Sequence, residues 1–191
     1  ERNYKATVIE DYKLRTWLME RLRPAGVSKV EIERSINTVK IVIHVSRPGI
    51  VIGRGGSGVE ELKKSIRVFF VTQRKGKNVP KFDINVEPIK EPNLDAQLVA
   101  RNITEQLLRR LPYKRILNQT AERVMTSGAK GVRIVLSGRI GGAEIGRREK
   151  IQKGTVPLST IRENIQYASV PALTKKGYVG VKVWINNVEA K

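Results

Sequence analysis

Cysteine is absent from the 191-residue chain, and histidine occurs once. The first absence excludes disulfides, thiol nucleophiles and Cys-ligated zinc or iron–sulfur centres. The second leaves His-based metal sites and catalytic triads without members. No Cys- or His-based catalytic residue is therefore expected, and no metal or cofactor. Apolar runs fall short of the roughly 18 residues that span a membrane, and no signal-peptide pattern opens the chain, so no membrane association is expected. Aromatic residues make up only 5% of the chain, too few for base stacking to be the main source of affinity for a nucleic acid. Acidic residues are scarce as well: 18 Asp and Glu face 37 Lys and Arg, a formal net charge of +19.

That charge sits on a chain built to fold. A hydrophobic fraction of 40% against 29% charged residues argues for a globular protein with a core, of one or two domains and most simply intracellular. Solubility would be served by a net charge of about +8, so the excess points to a polyanionic partner, with nucleic acid ahead of an anionic membrane. Residues 1–90 carry 19 basic and 10 acidic groups, and residues 91–191 carry 18 and 8. Both halves are basic, so the charge belongs to the folded body and not to an added arm.

Along the chain, Leu14, Trp17, Leu18 and Leu22 fall at helical spacing behind a possible cap at Asp11, and Pro24-Ala25-Gly26 ends that helix. Val30 and Ile32, then Val39, Ile41, Ile43 and Val45, alternate as two strands joined near Ser35-Ile36-Asn37. Pro48-Gly49-Ile50-Val51-Ile52 reads as an apolar turn. Val59, Leu62, Ile66, Phe69 and Phe70 mark a helix, and the basic loop Arg74-Lys75-Gly76-Lys77 leads to a strand with Phe82, Ile84 and Val86 on one face. Pro88 and Pro92 bracket the expected domain boundary, giving domains at 1–90 and 91–191. Beyond it, Leu94, Leu98, Ile103 and Leu107 mark a helix that Pro112 ends. Ile116, Leu117, Ala121, Val124 and Met125 mark a second helix that stops at Ser127-Gly128. A strand over 132–136 precedes a glycine-rich basic stretch from Gly138 to Gly154. The last strand alternates Val179, Val181, Val183 and Ile185 with Gly180, Lys182 and Trp184.

Gly53-Arg54-Gly55-Gly56-Ser57-Gly58 fits G-x-G-x-x-G, but its context rejects a dinucleotide site. Pro48-Gly49 breaks the strand that should enter the first glycine, and no Asp or Glu stands about twenty residues on to hold a ribose. No Lys-Ser or Lys-Thr pair follows, which excludes a P-loop. The order strand, apolar turn, G-x-x-G, helix, strand instead resembles a KH RNA-binding module, with Gly53, Arg54, Gly55 and Gly56 as its clamp loop. Glycines allow backbone amides close to a sugar-phosphate chain, and a helix N-terminus favours negative charge. Arg54 adds a cation at the tip, with Lys63 and Lys64 further along the helix. The apolar turn and the Val42 and Ile43 region are expected to floor a groove for about four nucleotides. A helix and strand placed before this core resemble the type-two KH arrangement.

The second half carries a longer resemblance. The runs Ser137 to Glu149, Gly154 to Arg162 and Gly180 to Ile185 are similar to the C-terminal domain of the bacterial small-subunit ribosomal protein S-three family. Arg47 to Gly53, Leu94-Asp95-Ala96 and Gly128-Ala129-Lys130-Gly131 fit the same family in the same order. The resemblance implies an α+β protein of two domains, a type-two KH domain and an α+β domain with two helices packed on a small sheet. It implies a structural, non-enzymatic constituent of the subunit head, in the ribosome of the cytoplasm or of an organelle. The implied partners are small-subunit rRNA, mRNA and neighbouring head proteins, without self-association. It also implies a face lining the channel through which mRNA enters and helping to unwind it, with the family's basic residues falling at Lys114 and Arg115 and a third at Asn118; the neighbouring Arg109 and Arg110 are expected on the same face.

Arg139, Arg147, Arg148, Lys150 and Lys153, set among glycines, are read from the residues themselves as phosphate partners in rRNA binding. The expected mode is phosphate and shape recognition; 6–10 phosphate contacts would lose about 10³–10⁵ in affinity between about 50 and 200 mM salt. His44 is expected to be a half-buried strand residue, and Trp17 and Trp184 to serve packing. The chain does not begin with Met and lacks the basic ends usual in the family, so the whole protein is expected to be more basic still. Two other readings stay open on sequence: a lyase acting through a lysine Schiff base, which distant relatives of the family suggest, and a free KH regulator of mRNA.

Overall fold

A computed structural model describes residues 2–35, 38–74 and 81–187. Ile36 and Asn37 of the expected strand connection, and Lys75, Gly76 and Lys77 of the basic loop, lie outside the described residues. The chain forms two compact units, Glu1–Lys90 and Glu91–Lys191, each α+β with its own apolar core.

The first unit opens with α1 (Arg2–Arg21), followed by β1 (Val27–Arg34), β2 (Thr38–Val45), α2 (Pro48–Ile52), α3 (Ser57–Arg74) and β3 (Lys81–Pro88). Leu14, Leu18 and Leu22 recur every four residues and are buried, as expected. The helix does not start at Asp11. Neither Gly nor Pro interrupts residues 2–22, so helix continues upstream, and the Asp11 carboxylate accepts from Arg34 Nε at 2.8 Å instead of capping. Arg34 also reaches Glu10 and lies over the Phe70 ring, which ties α1 to the far end of β1.

Sheet order is β1-β2-β3, with β1 and β2 antiparallel and β2 and β3 parallel. A bulge between Val27 and Lys29 turns both Val27 and Val30 inward although they are three residues apart. Leu62, Ile66 and Phe70 of α3 close the core over Ile41 and Ile43. Val42 points to the opposite, helix-free face, so Val42 and Ile43 cannot floor one groove together. The segment read as an apolar turn is the short helix α2, with Pro48 at its first position, where proline is pre-organised for helix.

The second unit contains α4 (Ala96–Leu108), α5 (Tyr113–Thr126), β4 (Gly131–Gly138), β5 (Arg147–Gly154), β6 (Ile165–Thr174) and β7 (Gly177–Asn186). Its antiparallel sheet has the order β5-β4-β7-β6, with both helices on one face. Asp95 caps α4 by accepting from the Leu98 amide at 2.9 Å, so Leu94 precedes the helix that it was expected to mark. The core face of α4 is Ala96, Val99, Ala100 and Ile103, and its small residues let the helix lie close against β6 and β7. Two strands differ from the sequence reading. The basic stretch after Gly138 is a 3-10 turn over Ile140–Gly142 and then the edge strand β5. Strand β6 was not anticipated: it contains Pro171, which an edge strand tolerates, and its inward residues include the small Ala168 and Ala172.

Candidate nucleic-acid interface

The G-x-x-G segment is a single 3-10 turn, Arg54–Gly56, between α2 and α3. Its glycines divide into two kinds. At Gly53 the backbone has φ 71° and ψ −178°, a region open essentially to glycine alone, and a Cβ there would lie 2.8 Å from the Gly58 amide nitrogen. A Cβ on Gly58 would lie 2.5 Å from the Val51 carbonyl oxygen. These two residues let α3 start directly against α2. Gly55 and Gly56 also have positive φ, but an added Cβ would meet nothing within 4 Å. The tip is thus open, and Arg54 is exposed on it without an ion-pair partner among the described residues. Ser57 Oγ donates to the Arg54 carbonyl at 2.9 Å and holds the turn.

Lys63 and Lys64 stand about 9–10 Å along α3 from Ser57 at 1.5 Å per residue, on the side turned away from the core. Arg67 joins them one turn on, a cation that the spacing i, i+4 from Lys63 could have disclosed. Ile50 and Ile52 of α2 are exposed beside the turn, whereas Val51 is buried. They keep the apolar character expected of a groove floor, a part that Ile43 cannot play.

Arg109 and Arg110 close α4, and Lys114 and Arg115 lie in the first turn of α5; all four are exposed. Local physics would not choose this arrangement. The Arg110 amide bonds to the Leu107 carbonyl and the Leu111 amide to that of Gln106, the Schellman pattern, which puts Arg110 at φ 59°. The end of α5 repeats the pattern with Gly128 at φ 95°, the residue type this position prefers. An arginine in the left-handed region costs about 1 kcal/mol relative to glycine. Lys114 and Arg115 in turn face the positive end of the α5 dipole, with no acidic residue in that turn to offset them.

The five basic residues expected on the glycine-rich stretch do not form one surface. Strand alternation sends Arg147 and Lys153 to the helix side of the sheet, and Arg148 and Lys150 to the other. Arg147 lies over the Tyr113 ring of α5, and Lys153 pairs with Glu122 at 2.9 Å. Arg139 Nε donates to the Ala143 carbonyl and braces the 3-10 turn. Arg148 and Lys150 remain exposed and unpaired among the described residues.

Many carboxylates, by contrast, are drawn into pairs. Glu61 meets Arg21, Glu31 meets Lys29, Glu163 meets Lys130 and Glu149 meets Arg147, in addition to the contacts of Glu10, Asp11 and Glu122 above. The Lys29 ammonium, bonded to Glu31, holds that carboxyl below its ordinary range, as the Asn186 amide and then Lys130 do for Glu163. His44 is half-buried on the open face of the first sheet, 3.5 Å from Glu87 and 3.9 Å from Glu31. Trp17 packs on Phe69 with ring centroids 5.7 Å apart. Among the described residues no group of His, Cys, Asp and Glu could hold a metal ion, and no helix is long and apolar enough to cross a membrane.

Comparison with known proteins matches the family model "KH domain" to residues 13–94 and "Ribosomal protein S3, C-terminal domain" to residues 103–185. The chain is 46% identical over 183 residues to small ribosomal subunit protein uS3 of Clostridium novyi (strain NT), covering 96% of this chain and 80% of that one. It is 47% identical over 188 residues to uS3 of Lactobacillus delbrueckii subsp. bulgaricus, covering 98% and 81%. The match to uS3 of Syntrophomonas wolfei subsp. wolfei is 44% identical over 189 residues, covering 99% and 80%.

The chain belongs to the uS3 family.

Membership accounts for the order of modules in the uS3 fold described above. The KH match ends at Leu94, within the 3-10 turn that precedes α4, and begins at Lys13, leaving out the first half of α1. The family is one of structural proteins, not enzymes, which removes the lyase reading.

Proposed function

We propose that this chain is a structural constituent of the small ribosomal subunit that holds rRNA through both units and presents Lys114 and Arg115 to mRNA entering the subunit. The observation that carries this reading is where the charge is left over. Ion pairs within each unit engage many of the carboxylates, and exposed cations without a described ion-pair partner remain at the Arg54 turn, on α3, at the α4–α5 junction and on β5. Such a surface draws polyanions, and RNA phosphates supply the counter-charges that the chain itself lacks.

The strained Arg110 and the cations at the α5 N-terminus support assigning that junction to RNA. Natural proteins break local rules mainly at functional sites. The KH turn suits backbone contact, because its tip is open and its flanking glycines fix its position.

Subunits reconstituted with Lys114→Ala and Arg115→Ala test the reading together with the double variant Arg54→Asp, Gly55→Asp. The α5 pair should slow translation through message hairpins more than it impairs assembly. The KH double variant should weaken RNA binding by the free chain while the fold persists. The reverse ranking for Lys114 and Arg115 would make them rRNA anchors, and normal subunit heads without this chain would overturn the whole assignment.

A further inference from the structure

The sheet of the second unit has a face that no helix of that unit covers, and its composition differs from the rest of the protein. Pairing between strands places Lys150, Val135, Lys182 and Ser169 in one row across it, and Gln152, Arg133, Trp184 and Tyr167 in the next. Trp184 is therefore not a core residue. Its ring and that of Tyr167 are 5.1 Å apart at 37°, and the Arg133 guanidinium lies over the indole at 5.2 Å. Tyr167 is 53% exposed. Arg148, on the adjoining row, completes four cations on this face, with no carboxylate on the same strand positions. None of the four is ion-paired among the described residues, and Arg133 Nε is buried without a hydrogen-bond partner. The open face of the first unit's sheet is different, with Glu31, Glu33, Asp83 and Glu87 set among its lysines.

We propose that this open face is a stacking platform for an unpaired RNA segment, with Tyr167 and Trp184 taking base faces and Arg148, Lys150 and Lys182 taking phosphates. Charge selects the occupant: a face with four cations and no anions repels basic partners and draws polyanions, and its aromatic row adds the one attraction that nucleic-acid bases have and bare phosphates lack. Arg133 packs on the indole from the neighbouring strand β4, which restrains the ring before a base arrives and lowers the ordering cost of binding. The inference rests on the chain being an RNA-binding protein and specifies a surface for it that neither the KH turn nor the α4–α5 junction supplies.

The chain has two tryptophans, so Trp17→Phe, in the core of the first unit, leaves Trp184 as the only indole. Titrating that full chain with a single-stranded RNA nonamer of mixed sequence should quench Trp184 emission to saturation, whereas an abasic phosphodiester of equal length should bind without quenching. Trp184→Leu and Tyr167→Leu should each weaken RNA binding roughly 5- to 100-fold and leave the abasic strand unaffected. Trp184→Phe, which keeps a ring, should retain most of the affinity. If the leucine variants melt early, Lys150→Gln and Lys182→Gln carry the test, each lowering the salt slope of RNA binding by roughly 0.7.

RNA binding with unchanged Trp184 emission, or equal losses for both strands, overturns the platform while leaving RNA binding elsewhere on the chain intact. A chain that binds neither strand refutes the broader reading as well. In assembled subunits a photo-crosslinker replacing Tyr167 should label RNA; label on a neighbouring protein overturns the proposal.

Discussion

Gly53→Ala separates the structural glycines of the KH turn from those left for a ligand. At φ 71° and ψ −178° an alanine pays about 1–3 kcal/mol in backbone strain. Its Cβ, 2.8 Å from the Gly58 nitrogen and 3.2 Å from the Gly58 Cα, adds an overlap with backbone that only a shift of α3 relieves, about 1–3 kcal/mol more. The lower entropy of the unfolded alanine chain returns about 0.4–1 kcal/mol. The expected net loss is about 1–6 kcal/mol, which lowers the melting temperature of a 90-residue unit by about 4 °C or more. Gly55→Asn is the matched control. Its φ of 61° and ψ of 22° are left-handed values that asparagine adopts readily, and its Cβ meets nothing within 4 Å. That change should stay within about 1 kcal/mol of the parent. Thermal unfolding followed by Trp17 emission in a Trp184→Phe background reads the first unit alone, because Trp17 packs on Phe69 of α3. A Gly53→Ala chain melting within about 2 °C of the parent, or Gly55→Asn falling as far, would refute the division of roles.

Two further outcomes follow from the second unit. Arg110→Gly should leave the fold as stable or raise its stability by a few tenths to about 1 kcal/mol, because glycine accepts the left-handed Schellman position at the α4 end; destabilisation beyond about 1 kcal/mol in urea unfolding would show that the arginine serves packing. Glu163 has its folded pKa lowered below the ordinary 4.5 by the Asn186 amide and then by Lys130, so its contribution is present above that value and is lost as the pH falls through the lowered one. The stability advantage of the parent over Glu163→Gln should therefore be full at neutral pH and vanish in strong acid, and an advantage that grows on acidification would contradict the pairing.

Much of the fold was legible because it rests on local periodicity. The four-residue spacing of Leu14, Leu18 and Leu22 and the alternation from Val179 to Ile185 need only the geometry of one element to be read. The errors arose where a residue's meaning depends on a distant partner. Asp11 looks like a cap until Arg34, 23 residues away, claims its carboxylate. Strand β6, which contains Pro171, exists because β7 lies beside it and pairs with it along its whole length. Arg147 and Arg148 are neighbours in sequence and look alike as phosphate partners, yet pleating puts one against Tyr113 and leaves the other in solvent.

By itself, then, the sequence determined the chemical class of the protein: no thiol or His-based chemistry, a cationic excess in both halves, an open glycine turn before a helix, and family motifs in order along nearly the whole chain. Tertiary structure alone decided which cations remain without partners and which aromatic residues face solvent. Period-2 alternation states that Lys182 and Trp184 share a side of β7, but not whether a helix covers that side. Coverage is a property of how α4 and α5 pack across four strands, a non-local choice made by the small residues of α4 and the apolar stripe of α5. That choice turned a tryptophan expected to serve packing into the centre of an exposed, cationic, aromatic row.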